Sequence, residues 1–194
     1  MSFKKSILVL SFALCAVCLL SKTTDAQKPL AEYTGNLIAY NGPRVQTASF
    51  TLRIKNWTSD DQANQNLVIL QEGGQNKLLS AIQKEDVGSF SVNNGLARTV
   101  NVARETDADG KKRIFVVFER WMTFAEVRGG YRSEDYPFSV IELSIDDKTG
   151  KGEGTFIAAA EIRWKLDKKT NQHRIEIDDF ATFPAKVVNV KAQS

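Results

Sequence analysis

Residues 138–165 read FSVIELSIDDKTGKGEGTFIAAAEIRWK and contain two strand patterns around one polar turn. In the second half, apolar side chains recur at every second position from Phe156 to Trp164, which is typical of a half-buried strand. The first half, 138–145, is partly apolar on both faces, so we expect that strand to lie inside a sheet. The turn at 146–150 is rich in Asp and ends in Gly, which predicts an antiparallel hairpin.

The same alternation continues on both sides of this hairpin. Short turns at 93–95, 107–110 and 167–171 carry Asn, Asp or Gly, the residues that accept positive φ or close a turn with their side chains. Short turns between successive strands indicate antiparallel pairing. The pattern predicts nine strands, at 31–40, 46–56, 87–93, 97–104, 112–120, 136–146, 152–165, 173–180 and 185–191.

One stretch, 58–84, has a helical pattern instead. Ser59 and Gln62 have the spacing of a capping box, and an apolar run from 67 to 70 follows them. Gly73 and Gly74 predict the end of this helix, and a second helix fits 75–84. We therefore expect a helical hairpin inserted between the second and third strands, covering an open end or an edge of the sheet.

Together these elements predict a mainly β protein with one domain over 27–194. Eight or nine antiparallel strands protect their edges best in a lipocalin-like barrel, closed or nearly closed, or in a two-sheet sandwich. The sequence leaves both alternatives open.

The N-terminal segment 1–26 has the features of a secretory signal peptide. Lys4 and Lys5 precede a 15-residue apolar run, and small residues before position 27 favour cleavage after Ala26. The run is shorter than the roughly 20 residues that a membrane-spanning helix needs. We expect a secreted or periplasmic protein with no membrane span, and both cysteines would leave with the signal peptide.

Charge and composition exclude several function classes. The full chain has a formal net charge of +3, but 23 basic and 22 acidic residues remain after residue 26. Basic and acidic residues are interspersed, so we expect no nucleic-acid partner. With one histidine and no cysteine after residue 26, we also expect no metal site and no cofactor.

Several strings resemble those of a group of short exported bacterial proteins of unknown function. They are TLRIKNWT at 51–58, the Gly73-Gly74 pair before Leu78 and Leu79, DYPF at 135–138, IEL at 141–143 and GKGEG at 150–154. The resemblance covers most of the chain after the signal peptide. It implies a bacterial, exported, mostly β protein and carries no activity or catalytic residue with it.

The connection 119–136 is the best candidate for a binding site. It lacks strand alternation and is rich in aromatic residues and arginines, which offer apolar contact area and forked hydrogen-bond donors for a ligand. The same aromatic residues could instead fill the end of the core. The candidate residues are Arg120, Trp121, Phe124, Arg128, Tyr131 and Arg132.

Catalysis has weaker support. His173 stands alone, without a Gly-x-Ser-x-Gly turn, and is interpreted as an exposed hairpin residue. Asp107 and Asp109 begin like a calcium loop, but Lys111 and Phe118 stand where two further ligands are required. Glu142 lies in an apolar stretch where burial would raise the pKa of its carboxyl, unless it points outward or pairs with an arginine such as Arg53.

The sequence therefore favours an exported, non-catalytic protein that binds a small apolar or amphipathic ligand, or a protein partner, near the 119–136 connection and the 58–84 helices. A carboxylate-dependent hydrolase of saccharides or esters is the first alternative. A structural or assembly protein of the cell envelope is the second.

Overall fold

The protein is mainly β, as predicted. The computed structural model describes residues 28–122, 124–130, 135–167 and 172–193, with side chains for all of these except 41, 124, 125, 127, 166, 167 and 172–174. The predicted signal peptide lies outside the described residues. The elements are β1 (Ala31–Asn41), β2 (Arg44–Ile54), α1 (Asp60–Ile82), β3 (Gly88–Val92), β4 (Arg98–Val100), β5 (Val102–Ala108), β6 (Lys111–Glu119), α2 (Phe124–Gly129), β7 (Phe138–Asp146), β8 (Lys151–Asp167), β9 (Gln172–Phe180) and β10 (Ala185–Gln193).

The ten strands of the described chain form one antiparallel sheet in the order β4-β3-β2-β1-β10-β8-β7-β6-β5, and β9 pairs with β8 beside this path. β7 lies between β6 and β8, which confirms the prediction that the doubly apolar strand is internal. The hydrogen-bonded ladder does not close, so the closed barrel among the predicted alternatives is not formed. Its two end strands, β4 and β5, are nevertheless consecutive in the chain, with Asn101 between them.

The predicted turns have the expected backbone geometry. Asn93 and Asn94 have φ of 50° and 54°, and Asp109 and Gly110 have φ of 55° and 72°, values that asparagine, aspartate and glycine tolerate best. In the next hairpin Asp146 accepts hydrogen bonds from the backbone N–H of Thr149 at 2.8 Å and from its hydroxyl at 2.9 Å. These bonds hold the pKa of the Asp146 carboxyl below its ordinary value.

Apolar side chains are buried on both faces of the sheet. Along β6, Val116 belongs to one core cluster and its neighbour Val117 to the other, because successive side chains of a strand point to opposite faces. The larger cluster includes residues from every strand of the described sheet except β9. The smaller cluster lies between α1 and strands β5 to β8.

Helix α1 begins as predicted and ends its first segment where predicted. The Ser59 hydroxyl accepts from the Gln62 N–H, and the Gln62 side chain accepts from the Ser59 N–H, which confirms the capping box. Gly74, with φ 71° and ψ −176°, interrupts the helical conformation. These helical segments pack on one face of the sheet: Leu70 and Leu78 are buried in the smaller cluster with Val102 of the end strand β5, because that face of β5 to β8 is itself apolar.

The strand predicted at 97–104 is divided in the structure. Asn101 separates β4, which pairs with β3, from β5, which pairs with β6 and continues to Ala108. The Asn101 side chain donates to the carbonyl of Glu85 at 2.9 Å and accepts from the N–H of Glu119 at 3.2 Å. These two side-chain hydrogen bonds hold the backbone in place at the point where the chain changes its neighbour.

Candidate functional site

One end of the sheet gathers four chain connections. Glu119 at the end of β6 pairs with Phe138 at the start of β7, which pairs with Ala160 of β8. Phe180 at the end of β9 also lies opposite Ala160, and the end of β1 lies beside the start of β10. The connections β1–β2, β3–β4, β6–β7 and β9–β10 therefore meet at this end, and the predicted site connection 119–136 is one of them.

Arg120, a predicted site residue, is buried and paired. Its guanidinium donates to the two carboxylate oxygens of Glu126 at 2.8 and 2.5 Å and to the carbonyl of Trp121 at 3.0 Å. The pair is 6% and 5% exposed. The hydrogen bond to Glu126 raises the pKa of Arg120 above its already high ordinary value, so the arginine stays charged. The guanidinium of Arg120 thus donates its hydrogen bonds to groups of the same connection, the Glu126 carboxylate and the Trp121 carbonyl.

Trp121 packs against the aromatic core. Its ring lies 6.0 Å from the Phe90 ring and 5.9 Å from the Phe118 ring, in an edge-to-face arrangement with the latter. The guanidinium carbon of Arg98 lies 5.4 Å from the centroid of the Trp121 ring, as a cation–π contact. Trp121 thus covers the end of the core, which is the alternative to ligand binding that the sequence offered for the aromatic residues of this connection.

The other predicted residues are not brought together in the described chain. Arg128 is exposed at the end of α2. The backbone of Phe124 begins α2, but its side chain lies outside the described set. Tyr131 and Arg132 lie outside the described residues altogether. A binding role for these six residues therefore stays a prediction.

An apolar cleft of about 600 Å³ opens at the same end of the sheet, beside the predicted connection rather than in it. Its floor includes Phe156, whose ring lies 5.3 Å from the Phe90 ring, so the cleft lies directly against the aromatic core. Its rim exposes Tyr40, Phe180 and Phe183, which are 56%, 40% and 81% exposed. The cleft is lined by Leu37, Ala39, Tyr40, Gln46, Ala48, Phe156, Ala158, Phe180, Ala181, Thr182, Phe183 and Ala185.

Strand alternation explains how these residues come together. Leu37 and Ala39 of β1 pair with Ala48 and Gln46 of β2, and directly paired residues of antiparallel strands share one face. Ala185 at the start of β10 pairs with Phe156. The cleft therefore lies on the face of these strands whose other residues form the larger core cluster.

Sequence reasoning missed the β9–β10 connection. The segment FATFP at 180–184 places two phenylalanines in a short connection between strands, and no helical or strand periodicity buries them. These two phenylalanines in a connection between strands were the signal in the sequence that could have indicated an apolar binding surface here. Pairing across distant strands was needed to show that it lies beside Leu37 and Phe156.

The candidate catalytic residues lie elsewhere. Glu142 is exposed, opposite Phe115 and Thr155, on the face of β7 away from the larger core cluster, so its carboxyl points outward, which is one of the alternatives that the sequence left open. It lines a separate, charged groove of about 680 Å³ that also includes Arg113 and Lys186. Arg53 pairs with Glu32 at 2.8 Å instead of with Glu142.

The remaining candidate catalytic and metal-binding residues do not form a site in the described part of the chain. The side chain of His173 is outside the described set, and Asp109 forms an ordinary hairpin turn. Across the described ranges, no group of three or more His, Cys, Asp or Glu side chains has the arrangement of a metal site. Glu126 is the buried carboxylate of the described chain, and it is paired with Arg120.

Comparison with protein-family models, with curated proteins and with solved structures gave no match. Neither helix of the described chain has the length and apolar character that crossing a membrane requires.

Proposed function

We propose that this protein binds a small apolar or amphipathic molecule in the apolar cleft and catalyses no reaction on it. The observation that carries the proposal is the cleft itself, about 600 Å³ in volume and lined mostly by aliphatic and aromatic side chains. Binding sites for small molecules commonly have volumes of roughly 300–1,000 Å³ and such linings. The size suits a molecule of lipid-fragment dimensions.

The exposed rim also supports binding. Phe183 is 81% exposed and Tyr40 56% exposed, and both line the same cleft as the buried residues Phe156 and Leu37. Contiguous exposed apolar surface is uncommon on proteins without a binding partner. A bound molecule would remove this surface from water, which is favourable by roughly 25 cal/mol for each Å² of apolar area.

The proposal includes a fold in which the sheet wraps around one interior and is nearly closed at Asn101. The two end strands of the sheet flank this residue, and its backbone N–H donates to the carbonyl of Val117 on β6 at 3.2 Å. The carboxylate of Glu105 on β5 acts on the hydroxyl of Tyr33 on β1, five strands away in the sheet order. Such interaction across the interior favours a barrel-like wrap over two separate sheets.

We further propose that the protein acts outside the cytoplasm, after cleavage following Ala26. The support is the order of charges, apolar run and small residues in 1–26. Mass determination of the protein secreted by its host tests this point: a chain beginning at Gln27 is expected, and a chain retaining residues 1–26 would contradict it.

Binding is tested with N-phenylnaphthylamine, an uncharged fluorescent probe of apolar sites. We expect saturable binding to the wild type, loss of binding in Ala39→Phe, which fills the cleft, and about tenfold weaker binding in Phe183→Ala. Leu96→Ala is the matched control, because Leu96 is 93% exposed on the β3–β4 connection and does not line the cleft. Circular dichroism checks that each variant is folded.

Two outcomes would contradict the proposal. One is the absence of saturable probe binding to the wild type. The other is equal affinity in Ala39→Phe, Phe183→Ala and Leu96→Ala, which would place the probe elsewhere. Native mass spectrometry of the protein purified gently from its host adds an independent measurement, in which an added mass is expected.

A further inference from the structure

The apolar cleft contains hydrogen-bonding groups but no charge. Its twelve lining residues include Tyr40, Gln46 and Thr182 and no Asp, Glu, Lys, Arg or His. Within the described residues, none of these three side chains takes part in a hydrogen bond. The Gln46 amide offers a donor and an acceptor, and the Thr182 hydroxyl offers both in one atom.

This lining discriminates between ligand head groups by their charge. A carbonyl, ester or hydroxyl that enters the cleft exchanges its hydrogen bonds with water for hydrogen bonds with Gln46 or Thr182, at little net cost. Gln46 and Thr182 are exposed, so an ionised carboxylate or ammonium bound by them loses part of its hydration against the apolar wall and meets no counter-charge among the lining residues. Removal of water from a charge without a counter-charge is unfavourable, so the uncharged head group is preferred.

Asp179 and Arg44, two charged residues that lie close in sequence to the lining, do not change this comparison. Asp179 precedes Phe180, but its carboxylate already accepts from the Tyr136 hydroxyl and from the Phe180 N–H, each at 2.8 Å. Arg44 points to the same face of β2 as Gln46 and lies two residues further out, about 7 Å along the strand. It is exposed, at the solvent side of the rim. Arg44 therefore suggests one alternative ligand, with an anionic head group that is bound outside the cleft.

On the basis of the binding function proposed above, we infer that the ligand is an uncharged amphiphile, with an aliphatic or aromatic body on Phe156 and Leu37 and a carbonyl or hydroxyl head bound by Gln46 and Thr182. Fatty acids in their ionised form and alkylamines are bound less tightly than alcohols or esters of the same chain.

Decanol, decanoate and decylammonium test the inference, because they share one alkyl chain and differ in charge. Each displaces N-phenylnaphthylamine from the wild type at neutral pH and low concentration, below micelle formation. Decanol is expected to bind at least about tenfold more tightly than either ion.

Gln46→Leu tests the head-group contact. It is expected to weaken decanol binding about tenfold, while the affinity for N-phenylnaphthylamine changes less than about twofold. Gln71→Leu is the matched control, since Gln71 is exposed on α1 and remote from the cleft lining. Its affinities should equal those of the wild type.

The outcomes separate this inference from the proposed function. Tighter binding of decanoate, lost in Arg44→Gln, would overturn the uncharged ligand and leave the binding function intact. Equal binding of all three compounds, unchanged in Gln46→Leu, would show that no head group is recognised and would also overturn it. If the probe itself fails to bind the wild type, the proposed function fails first.

Discussion

Arg120 and Glu126 form a forked ion pair that is almost completely removed from solvent, with 6% and 5% of their side chains exposed. The pair joins the end of β6 to α2 and so fixes the start of the β6–β7 connection. A charge buried in this way is stable only while its partner is present. The two residues therefore act as one structural unit at the end of the core.

Removal of one partner is expected to destabilise the protein strongly. Glu126→Gln leaves the Arg120 guanidinium buried without its counter-charge, and we expect the free energy of unfolding to fall by about 3–5 kcal/mol. Asp86→Asn is the control, because Asp86 pairs with Lys55 at the surface, where both side chains are about half exposed, and should cost at most about 1 kcal/mol. Urea unfolding measures both. Similar losses in the two variants would contradict the structural role of Arg120.

Trp121 and Arg128 should respond differently to truncation. Trp121→Ala removes a ring that contacts Phe90 and Phe118, and we expect a loss of about 2–3 kcal/mol in the free energy of unfolding. Arg128→Ala should change it by less than about 0.5 kcal/mol, because Arg128 is exposed. If Trp121→Ala instead kept its thermal stability and lost probe binding, the connection would be the binding site that the sequence predicted.

The raised pKa of Tyr33 predicts a loss of protein stability at high pH. Burial, and secondarily the negative charge of Glu105, raise the pKa of the Tyr33 hydroxyl from 10.0 to about 12. Because the folded state favours the protonated form, this contribution is complete below about pH 10 and is lost as the pH rises through 12. Between these values, the wild type should lose about 2–3 kcal/mol more than Tyr33→Phe in urea unfolding. If the free energy of unfolding had the same pH dependence in the wild type and in Tyr33→Phe, the raised pKa of Tyr33 would be contradicted.

In Glu105→Gln the pKa of Tyr33 should decrease but stay above 10, because burial is the larger cause. Ultraviolet difference titration of the tyrosinate measures this directly. A pKa of 10 in that variant would show that the Glu105 charge, and not burial, controls the hydroxyl.

Gly73→Ala and Gly74→Ala should both destabilise the protein, for different reasons. Gly74 has φ 71° and ψ −176°, a conformation that costs a residue with a Cβ about 1–3 kcal/mol. Gly73 is helical, but a Cβ there would lie 2.8 Å from the Cβ and Cγ of Lys77, which cannot move away without a shift of the helix, so Gly73→Ala should lower stability by about 1–3 kcal/mol. Thermal unfolding of both variants checks this. A destabilised Gly73→Ala beside an unchanged Gly74→Ala would contradict the interruption of α1 at Gly74.

The capping box should contribute measurably to α1. Ser59→Ala removes the acceptor for the Gln62 N–H and is expected to cost about 1 kcal/mol. Ser80→Ala is the control: its hydroxyl donates to the Asn76 carbonyl within the helix, and its loss should change stability by less than about 0.5 kcal/mol. Thermal unfolding measures both, and equal shifts would show that the cap is not used in solution.

Local patterns in the sequence predict the strands well because period-two alternation and turn residues act within a few positions. The segment 138–165 and the capping box at Ser59 follow local rules, and the structure reproduces them. The division at Asn101 could not be predicted in this way, because it depends on β3 and β6, which lie on opposite sides of it in the chain.

The cleft was beyond local reasoning for a related reason. Phe183 and Tyr40 are far apart in sequence and become neighbours only when β10 pairs with both β1 and β8. The ion pair of Arg120 was not predicted although its partner Glu126 is only six residues away, because burial of the pair depends on the packing of the whole end of the core.

The pairing of β1 with β10 has a kinetic consequence. The Gln193 side chain donates to the Thr34 hydroxyl across 159 positions of sequence, and β1 has no neighbour on that side until β10 arrives. Contacts of such separation slow folding, because a large loop must close before they form. Refolding should therefore take milliseconds to seconds, and a nascent chain would expose the backbone edge of β1 until β10 has been synthesised, the kind of surface that chaperones protect from aggregation.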